Sequence, residues 1–126
     1  MSDASQYVNS QARPLREEEI ELVLSLLHRT TYSGNLKDIL QSSRVVDMKD
    51  GGMGSIRFVR AEPRILGSVL QEAQYTDEDG ICVSIAINTD NMGDLFELDF
   101  WRVDFSPLKR YPKPSALRFV EKWGTA

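Results

Sequence analysis

Leu95-Phe96-Glu97-Leu98-Asp99-Phe100-Trp101-Arg102-Val103 alternates apolar and polar side chains with a period of two. That rhythm sends Phe96, Leu98 and Phe100 to one face of a strand and Glu97, Asp99 and Trp101 to the other. One face meets a core and the other meets water, which is the signature of a half-buried antiparallel strand. The same alternation runs just upstream, where Ile81, Val83, Ile85 and Ile87 oppose Cys82, Ser84, Ala86 and Asn88. Asn91-Met92-Gly93-Asp94 and Asp79-Gly80 supply turns on either side of that segment. Ser68–Thr76 reads as a third strand, and Arg44–Met48 and Ser55–Arg60 as two more around Asp50-Gly51-Gly52. Successive strands with short turns predict an antiparallel meander of about four to five strands.

The period changes to 3.6 nearer the N-terminus. Ile20, Val23, Leu24 and Leu27 fall at i, i+3, i+4 and i+7, after Pro14 and the acidic run Glu17, Glu18 and Glu19. Carboxylates in a first turn suit the positive end of a helix, so a helix is predicted to end near Arg29 with Gly34 as its stop. A shorter helical turn follows at Leu36–Leu40. Packed on the apolar face of the meander, the first helix gives an α+β fold. Residues 1–13 are polar and read as a disordered, frayed terminus, leaving a single domain over 14–126. Pro107, Pro112 and Pro114 break up the tail, with a last helical turn or two predicted over Ala116–Trp123.

With 126 residues, 41% of them hydrophobic and 27% charged, the chain fits one packed domain. No run approaches the ~20 apolar residues of a membrane span, and no basic-then-apolar segment opens the chain. One cysteine, Cys82, cannot form an internal disulfide, which suits a reducing cytoplasm. A net charge of -4 and a single histidine argue against nucleic-acid binding by bulk charge and against histidine-rich metal sites. The charge is uneven. Residues 72–104 hold nine carboxylates against Arg102 alone, while the tail from Phe105 holds five basic residues against Glu121. Either the tail folds back onto the acidic strands, or part of that surface attracts a basic partner.

Glu97 and Asp99 stand out for chemistry, because i and i+2 on a strand share a face. Two close carboxylates can bind a divalent cation or divide acid and base roles, although His28 sits on a different element and further ligands are missing. Trp101 shares their face and can anchor a partner, unless the tail, with Tyr111 or Trp123, covers it. Asp50-Gly51-Gly52-Met53-Gly54 lacks the Lys-Ser/Thr ending of a phosphate-binding loop, so a turn needing positive φ explains its glycines. Cys82 and Ser106 have no nucleophile context.

Asp50-Gly51-Gly52-Met53-Gly54-Ser55, Asp79-Gly80-Ile81 and above all Leu95–Leu108, together with Arg13-Pro14-Leu15, carry a resemblance. Across about residues 13–115 the chain resembles a family of small bacterial proteins built on a domain of unknown function. The resemblance implies a bacterial, cytoplasmic, single-domain protein, and it supplies no catalytic residue. The residues themselves suggest a small protein-binding module, by analogy with acidic bacterial immunity proteins, that docks a partner through Glu97, Asp99 and Trp101. A metal-dependent enzyme or small-ligand site at Glu97 and Asp99 is the alternative, and self-association through the exposed sheet face a third. No catalytic residue, metal ligand or cofactor is assigned.

Overall fold

The computed structural model describes residues 8–121, with side chains from Gln11 onward. Seven strands form one open antiparallel sheet: β1 (Val8–Pro14), β2 (Arg44–Met48), β3 (Ile56–Phe58), β4 (Leu66–Thr76), β5 (Cys82–Asp90), β6 (Leu95–Arg102) and β7 (Arg118–Phe119). Two helices, α1 (Glu17–Leu27) and α2 (Leu36–Ser42), lie between β1 and β2. The spatial order is β1-β2-β3-β6-β5-β4-β7. None of the described helices is long and apolar enough to cross a membrane.

Four to five strands therefore understates the sheet, and it is not one meander. β1-β2-β3 and β4-β5-β6 are separate runs, joined where β3 pairs with β6 through Ile56–Leu98 and Arg57–Glu97. The crossover from β3 to β4 is pinned at the tip of the β5–β6 hairpin. There Asn91 N–H donates to the Ile65 carbonyl, Arg60 Nη2 donates to the Leu95 carbonyl at 2.8 Å, and Arg64 Nη1 pairs with Asp90 and Asp94 at 2.8 Å each. Such a non-local pairing leaves no local sequence signal, because its turn chemistry is spread over two loops.

Both unexpected strands lie at the sheet's margins. Residues 8–13 belong not to a frayed terminus but to β1, and Arg13 holds that edge. Its guanidinium donates to both carboxylate oxygens of Glu19 (2.8 and 2.9 Å) and to Asp47 (2.7 and 3.1 Å), tying β1 to α1 and β2. Glu19 also accepts the Arg16 backbone N–H at 2.7 Å, which caps α1. At the other end, the helical turn predicted from Ala116 gives way to a 3₁₀ turn at Pro114–Ala116 and then β7, which pairs with Ala73 and Gln74. Of that predicted turn, residues 122 and 123 lie outside the described residues, as do residues 1–7 of the predicted disordered terminus.

A single apolar cluster joins Leu22, Val23, Leu26 and Leu27 of α1 to Val45, Ile56, Ala73, Tyr75, Val83, Ile85, Ile87, Leu98 and Phe100 of the sheet. Leu95 belongs to this cluster and Phe96 does not. The register slips between Asn88 and Thr89, so β6 carries a bulge at Phe96, and strict alternation fails there. The Arg57 guanidinium lies 5.0 Å over the Phe96 ring, on the face opposite the core.

Two segments marked by the sequence meet in space. Asp50 accepts the N–H groups of Met53 (3.0 Å) and Ser55 (2.9 Å), folding the glycine-rich turn. The turn then docks on the segment after β6, where Leu108 N–H donates to the Gly52 carbonyl at 3.1 Å. Gly52 has φ +84°, and a β-carbon there would stand 3.2 Å from Pro107 Cβ. These glycines shape a structural joint between the turn and the segment after β6.

Candidate binding face on the sheet

The strand registers lay out the outer face, opposite the helices, as a grid. One row runs Gln74, Ser84, Trp101 across β4, β5 and β6. The next runs Glu72, Ala86, Asp99. A third runs Asn88, Glu97, Arg57, Val46 across β5, β6, β3 and β2. Asp99 and Trp101 therefore stand beside small side chains, Ala86 and Ser84, which leave a shallow floor next to them.

Glu97 departs from expectation. It is buried at 8% exposure rather than bathed in solvent. Arg57 covers it, donating from Nε to Oε2 at 2.6 Å and closing the ion pair with Nη2. Glu97 N–H also donates to Asn88 Oδ1 at 3.0 Å. That bond fixes the Asn88 amide, whose Nδ2 donates to Asp99 Oδ2 at 3.0 Å. Glu97 thus belongs to the seam between β3 and β6 and lies covered by Arg57.

Asp99 is half-buried, and its carboxyl meets that of Glu97 within hydrogen-bond reach. Burial and the neighbouring Glu97 push its pKa up to about 7, against the smaller pull of Asn88 and Arg57. Near neutral pH Asp99 is therefore poised between its protonated and ionised forms. Among the described residues no basic side chain lies within salt-bridge distance of Asp99.

Most of the other carboxylates counted in the acidic stretch are already spoken for. Arg102, 1% exposed, contacts Asp77 (2.7 Å), Asp79 (2.8 Å) and Asp104 (2.8 Å). Arg102 and the Ser106 N–H hold Asp104 down to about 2. Burial raises Asp77, but the backbone N–H groups of Lys109, Glu78 and Arg110, together with Arg102, outweigh it and leave the pKa lowered. Arg64 neutralises Asp90 and Asp94, and Arg110 reaches Glu78 at 2.7 Å. The acidic surface is therefore largely compensated from within, partly by the tail.

The described part of the tail does not cover Trp101. Tyr111 packs on Phe100 on the core side, with ring centroids 5.5 Å apart. Trp123 lies outside the described residues. Trp101 is 53% exposed and meets Phe105 edge-on at 5.0 Å, and Phe105 is itself 61% exposed. Phe105 also has φ +63°, a left-handed conformation costly for a bulky side chain. A strained residue that buries so little of its ring is a feature more often found at functional sites than in scaffolding.

A family model described as a domain of unknown function, DUF6984, matches residues 12–112. The chain belongs to the DUF6984 family. No curated protein and no solved structure matches it. The DUF6984 match takes in the end of β1, all of β2–β6 with the seam between the two runs, and the Asp99–Trp101–Phe105 surface, and it ends before β7.

Of the three residues singled out in the sequence, Asp99 and Trp101 stand together on the open face and Glu97 recedes behind Arg57. Phe105 was missed because it lies past the strand, where alternation says nothing. Arg57 and Asn88 were missed because only the register between strands sets them beside Glu97. Among the described residues, no group of three metal-ligating side chains gathers at this face.

Proposed function

We propose that this protein is a small binding module that docks a protein partner on the outer face of its sheet, with Asp99, Trp101 and Phe105 as the contact residues. The observation that carries this reading is the exposed Trp101–Phe105 pair beside a carboxyl group that makes no ion pair among the described residues. Exposed aromatic pairs of this kind carry a large share of binding energy at protein interfaces. A partner bringing a basic side chain gains the Asp99 carboxylate and a ring face at one spot. Glu97 supports the surface by anchoring Arg57 and Asn88.

The test begins with affinity capture from the source cells and ends with the purified pair in a calorimeter. Trp101→Ala is expected to weaken the complex by ~10- to 100-fold, in line with an aromatic hot spot. Asp99→Lys is expected to weaken it at least ~10-fold. Ser115→Lys, remote on the exposed 3₁₀ turn, serves as the control. Binding of the purified pair that is unchanged by both variants rejects the proposal. Charge reversal at Glu97 is a poor probe, because it would set a lysine against Arg57 inside the seam.

A second reading, a small-ligand or acid–base site on the same face, draws on one observation. Asp99 exchanges its proton near neutral pH beside Glu97, which Arg57 holds in place.

A further inference from the structure

The crossover that leaves β3 concentrates positive charge in a chain of net charge -4. Arg57-Phe58-Val59-Arg60-Ala61-Glu62-Pro63-Arg64 holds three arginines against Glu62 alone. Its side chains wall a cavity of about 270 Å³, together with Val46 of β2 and Phe96 of β6. Arg64 is consumed within the fold, meeting Asp90 and Asp94 at 2.8 Å each and Glu62 at 3.3 Å. Arg57 gives Nε and Nη2 to Glu97, and its Nη1 has no acceptor among the described residues. Arg60 is the least satisfied of the three. Its Nη2 donates to the neutral Leu95 carbonyl, and its buried Nε finds no acceptor. The carboxylate oxygen paired with it, Asp90 Oδ2, stands 4.0 Å away and already accepts from Arg64, while Asp90 Oδ1 accepts the N–H groups of Met92 and Asp94. A guanidinium only 25% exposed, with no counter-ion in contact, is costly unless an anion is supplied from outside.

We infer that this cavity binds the oxyanion head, carboxylate or phosphate, of a small organic acid, with Arg60 as the principal ligand and Arg57 Nη1 beside it. Guanidinium groups recognise such heads through planar, charge-assisted hydrogen bonds. Both planes are held in advance, Arg57 at 5.0 Å over the Phe96 ring and Arg60 at 6.0 Å over that of Phe58. Val46, Val59, Pro63 and Phe96 supply the apolar wall on which the body of the acid rests. A mostly apolar lining with a few convergent polar groups is usual for small-molecule sites. The volume lies just under the ~300–1,000 Å³ of typical ligand pockets, which suits an acid of one ring rather than a nucleotide. Glu62 is the single carboxylate on the lining among the described residues, and at 71% exposure it is free to turn towards water. The site shares no residue with the Asp99–Trp101–Phe105 surface and needs no protein partner.

The full chain is titrated with phenyl phosphate, benzoate and inorganic phosphate while NMR follows the Arg57 and Arg60 Nε–H resonances and the backbone amides. Saturable shifts centred on residues 57–64 and Phe96 are expected, with a dissociation constant on the order of a millimolar for the better organic acid. The tighter of phenyl phosphate and benzoate identifies the head group. Inorganic phosphate is expected to bind at least ~10-fold more weakly, because it leaves the apolar wall unused. Arg60→Gln should weaken the organic acid at least ~10-fold, and Glu62→Gln should tighten it ~2- to 5-fold. Arg118→Gln removes the same charge from β7, four strands along the sheet from β3, and should leave binding within ~2-fold. Val59→Glu, at an exposed position on the rim, sets a carboxylate against the site and spares the Arg60–Leu95 bond. It too should weaken binding at least ~10-fold, and it decides alone should Arg60→Gln fail to fold. No saturable shift with either organic acid up to ~20 mM overturns the inference. Binding left intact by Arg60→Gln or by Val59→Glu, or inorganic phosphate that matches the organic acids, overturns it too.

Discussion

Replacing Asp99 by asparagine is expected to stabilise the protein most above neutral pH and progressively less as the pH falls towards 4. The Asp99 carboxyl, with its pKa raised from 3.8 to about 7, binds its proton more tightly folded than unfolded. Stability from such a group is fully present below the unfolded pKa and is lost as pH rises towards the folded value. Each unit of difference is worth about 1.36 kcal/mol, so a shift of this size sets a ceiling of roughly 4 kcal/mol. The carboxyl is partly open to solvent and is coupled to Glu97, which reduces the expected effect to ~1–3 kcal/mol. Asparagine copies the protonated acid: its oxygen accepts from Asn88 and its amide donates towards Glu97. Asp99→Asn should therefore exceed the wild type by roughly a third of the full effect near pH 5 and by all of it near pH 8, at about 3–5 °C in Tm per kcal/mol. Below about pH 4 both proteins lose stability together, because Asp47, Asp77, Asp90 and Asp104 have lowered pKa values and must be protonated. Urea titrations at both pH values give the comparison, and the Asp99 carboxyl carbon can be titrated directly by NMR. A variant equally destabilised at pH 5 and pH 8 would refute the argument from the raised Asp99 pKa.

Arg102→Met leaves Asp77, Asp79 and Asp104 without their shared counter-ion, with the Asp77 side chain fully buried; urea unfolding should show a loss of ~3–5 kcal/mol, and one below ~1 kcal/mol contradicts the assigned role. Gly52→Ala and Gly93→Ala both force a positive φ, but only the first crowds Pro107, so calorimetry should find Gly52→Ala the more destabilising by at least ~1 kcal/mol.

Local patterns in the sequence carried far. The alternation from Leu95 to Trp101 located β6 and sent Leu98 and Phe100 inward and Trp101 outward. The spacing of Ile20, Val23 and Leu27 located α1. What escaped was whatever depends on distant partners. β1 lacks an apolar rhythm and is held by Arg13 reaching Glu19 and Asp47 across the fold. β7 is two residues long and exists because β4 offers it an edge. Phe96 kept its apolar character but lost its expected face to a bulge, which no single-strand pattern encodes. The acidic tally from Glu72 to Asp104 misled for a related reason: formal charge says nothing about which arginine folds back onto it.

The residues that make the sequence distinctive divide into two kinds once the structure is read. Asp50, Gly52 and Pro107 join the glycine turn to the segment after β6, and Arg57 and Glu97 clamp the two strand runs where only two residue pairs hold them. Most of their chemistry is consumed within the fold. Asp99, Trp101 and Phe105 differ, because stability alone would choose otherwise at each position. An amide at 99 removes a repulsion, a polar residue at 101 costs little buried area, and a glycine at 105 relieves a strained φ. Three neighbouring positions that each forgo stability on one open surface are what the proposed docking role would require.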